Sequence, residues 1–369
     1  MARDQQHGVV LHEIEDSRVH WTETTPSNVE VGEADGAGKE TNMKVFQRLR
    51  EKYGGFFQMD SRVFGTSQIP FTPQMYPIEK LAEGGQAEIF SSIGLRGPLA
   101  PRAALKVFKE GSSLRDLEKQ WPLGMLQNKH LKHFGLHHLG HYTCTIMGAT
   151  LLSDGRFAFC IPRRWGDLRK LIEIKMQEND YQRPPFPSAN ATRIVLHIAY
   201  GMRELHKHDI VHRDLKADNV LVDNETETGK KDPNGCICQV ADFEWSVGVE
   251  GTLFWRAPEI LQAVKSRNIK PELFTKSADV YSYGMTCYEI VTGRMPFEDL
   301  RASDYDVVIR GGRPELPSDM EPWMRDLITR CWHPNPLERP TSKTIVRTIA
   351  SDGRYGLDTW RSLVLELDA

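Results

Sequence analysis

The apolar residues of this chain change period once, and that change limits the folds open to it. Between residues 78 and 162 they come in short β-type runs separated by turns, PIEKLAEGGQAEIFSS, AALKVFK and RFAFCIP. From residue 191 onward helical spacing dominates, with Ile194, Ile198, Met202 and Leu205 on one stripe. The expected class is α+β, a small β-rich region followed by a larger helical one. At 369 residues and 40% hydrophobic content the chain is long enough for one large or two smaller cores. The same composition excludes a collagen, a coiled coil and a disordered acidic tail.

Charge and cysteine usage narrow the setting. The net charge of −3 gives no electrostatic case for nucleic acid or a membrane surface. No apolar run approaches the ~20 residues that span a bilayer. The start, Met1-Ala-Arg-Asp-Gln-Gln-His, lacks a secretory h-region, and Ala2 excludes myristoylation. Six Cys in this length are no disulfide scaffold, so a reducing compartment, cytoplasmic or nuclear, is expected. Residues 1–43 hold nine acids and three bases, and 26–42 read as disordered. Residues 43–53 suit a short amphipathic helix and 54–77 a linker. The polar inserts 177–190 and 223–235 read as surface loops. Of His130, His133, His137, His138 and His141, the spacing i, i+3, i+7 puts three on one helical face, but Gly135 and Gly140 break the segment and argue against a metal site.

The octapeptide His212-Arg-Asp-Leu-Lys-Ala-Asp-Asn219 follows the helical stripe. It resembles the catalytic loop of protein kinases at every fixed position. The resemblance implies Asp214 as the base for a substrate hydroxyl, Lys216 as a neutraliser of phosphate charge, and Asn219 as a Mg²⁺ ligand. Ala241-Asp242-Phe243-Glu244 resembles the D-F-G motif with Glu for Gly, and implies Asp242 as the second metal ligand. Gly251-Thr-Leu-Phe-Trp-Arg-Ala-Pro-Glu259 resembles the end of an activation segment, whose Glu pairs with a buried Arg, here Arg339. Asp279 in Asp-Val-Tyr-Ser-Tyr-Gly284 resembles the acid that anchors the catalytic loop.

The small lobe is less regular. Lys106 in Ala103-Ala-Leu-Lys-Val107 resembles the phosphate-contacting Lys of the V-A-I-K strand. The glycine loop is degenerate, with Ala82, Gly84, Ala87 and Ile89 at the motif positions and Gly85 added. Two glycines in such a place also suit a plain hairpin turn. Glu118 is the best acid to pair with Lys106, although it stands close in sequence. Hinge contacts fall near Cys160 to Arg163, with Gly166-Asp-Leu168 opening the next helix. The resemblance thus implies ATP contacts from Leu81, Ala82, Gly84, Gly85, Ala87, Ile89, Ala104, Lys106, Glu118, Ile161, Arg163 and Leu221.

Together these motifs resemble a eukaryotic serine/threonine protein kinase of the tyrosine-kinase-like branch. They imply a two-lobed fold, a kinase domain over 76–350 with lobes at 76–162 and 163–350, an N-terminal extension over 1–75 and a tail over 351–369. They also imply ATP and Mg²⁺ as cofactors and a protein substrate. A pseudokinase scaffold is the competing reading, motivated by Ala82, Ala87, Glu244 and Glu118. Thr252 is expected to face Asp214 and Lys216. That leaves Ser246 as the one candidate phosphosite, with Arg213 as its partner, and activity that depends little on it.

Overall fold

The computed structural model describes residues 41–57, 79–91, 103–115, 141–152, 154–223, 236–243 and 252–351. The small lobe is an antiparallel five-stranded sheet of β1 (Lys80–Glu83), β2 (Ala87–Ser91), β3 (Ala103–Phe108), β4 (Gly148–Leu151) and β5 (Phe157–Pro162), in the order β1-β2-β3-β5-β4. Strands β3 and β5 are buried on both faces, which is why they read as continuous apolar runs. Their register sets Ala104 opposite Ile161 and Lys106 opposite Phe159. Alternation therefore puts these four side chains on one face, and Leu105, Val107, Ala158 and Cys160 on the other.

The segment expected to be helical from 43 to 53 is helix α1 (Asn42–Tyr53), followed by a 3-10 turn at Gly54–Phe57. Val45, Phe46, Leu49 and Phe57 are buried in the same apolar cluster as Phe108 and Phe157. Asn42 caps this docking. Its Nδ2 donates to Ser112 O at 2.9 Å and to Gly155 O at 3.3 Å, and its Oδ1 accepts from Leu114 N at 2.9 Å. Residues 42–57, which precede the expected boundary at 76, are thus packed on the small lobe. Of the stretch expected to be disordered, 26–42, residues up to 40 lie outside the described ones, while Asn42 instead opens α1.

The large lobe is helical. A short sheet of β6 (Gly166–Asp167), β7 (Val220–Asp223) and β8 (Ile237–Val240) backs helices α2 (Leu168–Glu178) and α3 (Ser188–Lys207). Asp167 caps α2, accepting from Lys170 N at 2.7 Å, as Gly166-Asp-Leu168 implied. The stripe Ile194, Ile198, Met202 and Leu205 is fully buried on α3. Gly201 has a definite reason here, since a Cβ would meet Tyr142 O at 2.4 Å and the Val240 side chain at 2.7 Å. Further on come α4 (Pro258–Lys265), α5 (Lys276–Thr292), α6 (Asp306–Ile309), α7 (Pro322–Cys331) and α8 (Ser342–Ser351). Helix α5 is buried almost all round, starts at a Thr275 cap and stops at Gly293 with φ +78°. It carries Asp279 and Glu289, both buried.

Candidate active site

Helix α3 ends at Lys207, and β7 begins at Val220. The loop between them is pinned from below by Asp279. Its Oδ2 accepts from His212 N at 2.7 Å, and its Oδ1 from Arg213 N at 2.8 Å. His206 Nε2 lies 2.9 Å from the same Oδ2, and His206 Nδ1 lies 3.1 Å from Ser342 Oγ. The carboxylate must accept, so Nε2 carries a proton, and Nδ1 shares a hydrogen bond with the serine hydroxyl, which can donate or accept. These bonds hold Arg213 at φ +70°, a backbone region that costs a non-glycine residue of order 1–3 kcal/mol. His212 then ties the loop to the segment that carries Asp242. Its Nε2–H donates to Ala241 O at 2.7 Å, which leaves Nδ1 to accept from Asp214 N at 3.3 Å.

The result is a small cluster around Asp214. Thr252 Oγ1 donates to Asp214 Oδ1 at 2.7 Å, and Lys216 Nζ donates to Thr252 Oγ1 at 2.8 Å. Asn219 Nδ2 donates to Asp214 O at 2.6 Å and to Asp214 Oδ2 at 3.1 Å. Lys216 Nζ stands 3.7 Å from Asp214 Oδ2. Burial works against the Lys216 ammonium, but Asp214, Asp218, Glu289 and Asp242 outweigh it and hold its pKa above the usual value. The expected meeting of Thr252 with Asp214 and Lys216 is present.

Across the cleft, Lys106 Nζ donates to Asp242 Oδ1 at 2.9 Å. Lys106 is buried, whereas half of the Asp242 side chain, 51%, meets solvent, so the acid opens into the cleft. Withdrawal from water raises the Asp242 carboxyl, yet the charge and hydrogen bond of Lys106, with His212 and Lys216, hold it below its usual range. Asp242 sits at φ +62° and Phe243 is buried beneath it. Among the described residues Lys106 thus meets Asp242. Glu118 lies outside the described residues, as do Glu244, Ser246, Gly251 and the histidines from 130 to 138.

The nucleotide-side residues divide into two groups. Ala104 and Ile161 are buried side by side on the inner sheet face, with Ile89 and Leu221 half-buried. Arg163 Nη1 donates to Ser91 Oγ at 3.2 Å. Leu81, Ala82, Gly84 and Gly85 are exposed, while Ala87 is buried. Gly84 N donates to Ala87 O at 2.8 Å, so the degenerate glycine loop is a tight hairpin turn. Phe159, opposite Lys106, walls the same face and was not singled out from sequence. The period-2 alternation of β5 would have pointed to it. His206, Ser342, Arg169 and Glu289 were also missed, and no local pattern marks them.

Farther out, Arg339 and Glu259 make the expected ion pair, bidentate at 2.8 and 2.8 Å. The arginine side chain has no exposure, also donates to His333 O at 2.8 Å and stacks on Tyr281 at 5.2 Å. The Arg213 guanidinium lies over the Phe274 ring at 5.3 Å.

This arrangement belongs to a known class. Residues 103–349 match the family described as protein tyrosine and serine/threonine kinase, and the chain belongs to that family. Its two-lobed α+β fold is the expected one. Among curated proteins it is 33% identical over 206 residues to a light-sensor protein kinase of Ceratodon purpureus, covering 50% of this chain and 16% of that protein. It is 34% identical over 159 residues to the serine/threonine/tyrosine-protein kinase HT1 of Arabidopsis thaliana, covering 42% and 38%. It is 32% identical over 164 residues to the serine/threonine-protein kinase mos of Patiria pectinifera, covering 42% and 44%. The chain thus spans less than half the length of each of these relatives. These likenesses agree with the tyrosine-kinase-like branch read from the motifs. Among the described residues no helix is long and apolar enough to cross a membrane.

Proposed function

We propose that residues from about 76 to 350 form the catalytic domain of a protein serine/threonine kinase, which transfers the γ-phosphoryl of ATP to a protein hydroxyl. The observation that carries this reading is Thr252 bridging Asp214 and Lys216 at 2.7 and 2.8 Å. A base at that place accepts the proton of an acceptor hydroxyl, while the adjacent ammonium offsets phosphate charge. Protein kinases generally use ATP with Mg²⁺. The donor set fits, because Asn219 spends its amide nitrogen on Asp214, which leaves its side-chain oxygen, and Asp242 presents an ionised carboxylate to the cleft. Bound Mg²⁺ would neutralise charge on the phosphates between these two oxygen ligands. Lys106 would contact the phosphates, and Ala104, Ile89, Ile161 and Leu221 would enclose the base. No observation favours the pseudokinase alternative, since Lys106, Asp214, Asn219 and Asp242 are all retained.

The direct test is phosphate transfer by the purified full chain with Mg-ATP and a Ser/Thr protein substrate. Asp242→Asn and Asp214→Asn should each lower kcat by about 10²–10³ or more. Lys106→Met should lower transfer with little change in melting temperature. Near-normal turnover in Asp242→Asn would overturn the assignment.

A further inference from the structure

Three elements of the large lobe meet on one carboxylate. Glu289 on α5 has no exposed surface. Its Oε2 accepts from Ala217 N at 3.1 Å and from Trp255 Nε1 at 2.8 Å. Ala217 follows Lys216 in the catalytic loop. Trp255 belongs to the 3-10 turn Leu253–Trp255, and its own N–H donates to Thr252 O at 2.9 Å. One oxygen therefore holds both chain segments that carry the Lys216–Thr252 contact. The other, Oε1, faces Arg169 Nη1 of α2 at 3.5 Å. Both of those atoms are buried, and neither has a hydrogen-bond partner. The second Nη of Arg169 donates to Gly293 O at 2.8 Å, which fixes the guanidinium there. A half-satisfied buried ion pair contributes poorly to stability, and an apolar pair of the same volume would serve packing at least as well.

We propose that Glu289, with Arg169 as its counter-charge, is a positioning residue for phosphoryl transfer: its carboxylate sets the spacing between catalytic loop and activation segment, and so the contact of Thr252 with Asp214 and Lys216. The inference rests on the kinase reading above. Glu289 touches no reacting group and acts through Ala217 and Trp255. A proton on Oε1 would set an O–H against the Arg169 N–H, donor facing donor, so the junction has two arrangements. Among the described residues, the charged groups facing Glu289 are Arg169 from α2 and Lys216 and Asp218 from the catalytic loop, while Trp255 presents its neutral indole. Burial pushes the carboxyl up, Asp218 adds to the rise and Arg169 opposes it, leaving it at about 7. The junction therefore switches near neutrality: burial makes the fold favour the protonated form more than water does, while the ionised form is the one whose Oε1 is matched in charge to Arg169.

The test is the pH profile of kcat and KM for the full chain with Mg-ATP and a protein substrate. Wild-type kcat should fall about tenfold below the Glu289 midpoint, with KM for ATP little changed. Glu289→Gln keeps one oxygen for both donors, so it should fold and show a flat kcat at the low-pH level. Arg169→Met should move the midpoint up, and Asp218→Asn should move it down. If Glu289→Gln does not fold, these opposite shifts decide alone. An inflection that survives in Glu289→Gln, or one that Arg169→Met leaves in place, overturns the proposal. The indole N–H resonance of Trp255, assigned through Trp255→Phe, gives a readout free of activity. It should titrate with the same midpoint in wild type and stay fixed in Glu289→Gln, and a static resonance in wild type refutes the junction. A chain that transfers no phosphate at any pH while the indole still titrates would sink the kinase reading, and the positioning role with it.

Discussion

The two sides of the cleft are held by opposite kinds of electrostatics. On the small-lobe side, the β1–β2 hairpin carries a surface web. Lys80 pairs with Glu83 and, at 2.7 Å, with Glu88, while Lys109 reaches Glu83 at 3.0 Å and Arg156 reaches Glu88 at 3.3 Å. Lys80 and Glu83 are 42% and 48% exposed, so salt and water screen them. On the acceptor side, the catalytic loop rests on Asp279 and Glu289, which water does not reach. Interactions between fixed, dry groups are costly to break, and those between wet, long side chains are not. This chain thus uses its buried polar groups to hold Asp214 and Lys216, and leaves the hairpin adjustable.

Breaking the buried side should have the largest effect. Asp279→Ala strands His212 N, Arg213 N and His206 Nε2, at about 1–3 kcal/mol for each buried donor. That approaches the whole stability of a domain, so no cooperative melting transition is expected, and a normal one would show that water can replace the carboxylate.

Next comes Arg339→Ala, which leaves Glu259 without its buried partner. A loss of about 3–5 kcal/mol, read as a clear fall in denaturant midpoint, is expected. An unchanged midpoint would move this pair into the class of the hairpin web.

A smaller effect separates the two buried acids. The Glu289 carboxyl is raised from 4.5 to about 7 in the fold. Between those values the native state keeps a proton that the unfolded chain releases. The group's contribution is therefore fully present below about 4.5 and lost as pH rises to about 7. Glu289→Gln should gain melting temperature relative to wild type as pH goes from 5 to 8, and a constant difference would mean the acid stays in one form throughout.

The smallest effect belongs to the hairpin. Lys80 and Lys109 hold the exposed Glu83 carboxyl at about 2, so its contribution is present above 4.5 and lost as pH falls towards 2. Lys80→Ala should lower the melting temperature only slightly at neutral pH, and not at all in about 0.5 M salt. A large, salt-independent loss would show that the web is structural.

Much of the site was legible in sequence because its parts are local. His212 to Asn219 is one continuous loop, and its residue types fit one chemistry. The ion pair of Glu259 and Arg339 and the anchoring by Asp279 could be read because each stands in a motif of its own. The contact of Lys106 with Asp242, 136 residues away, was not read from the sequence. The acid proposed there, Glu118, lies outside the described residues. The glycine loop was legible only as a turn between two strands, since its few glycines are compatible with both a phosphate cradle and a plain hairpin turn.

The strand and helix periods, the order of the motifs and the residue types brought to the cleft depend on neighbours along the chain, so they can be read from it directly. Which buried groups meet is fixed by packing. His206 joins Asp279 to Ser342 across 136 residues of chain, and Glu289 joins Arg169, Ala217 and Trp255 from three separate elements. Such meetings follow from how whole helices pack. A lone His or Glu on a helix carries no mark of them until α5 is set beneath the loop.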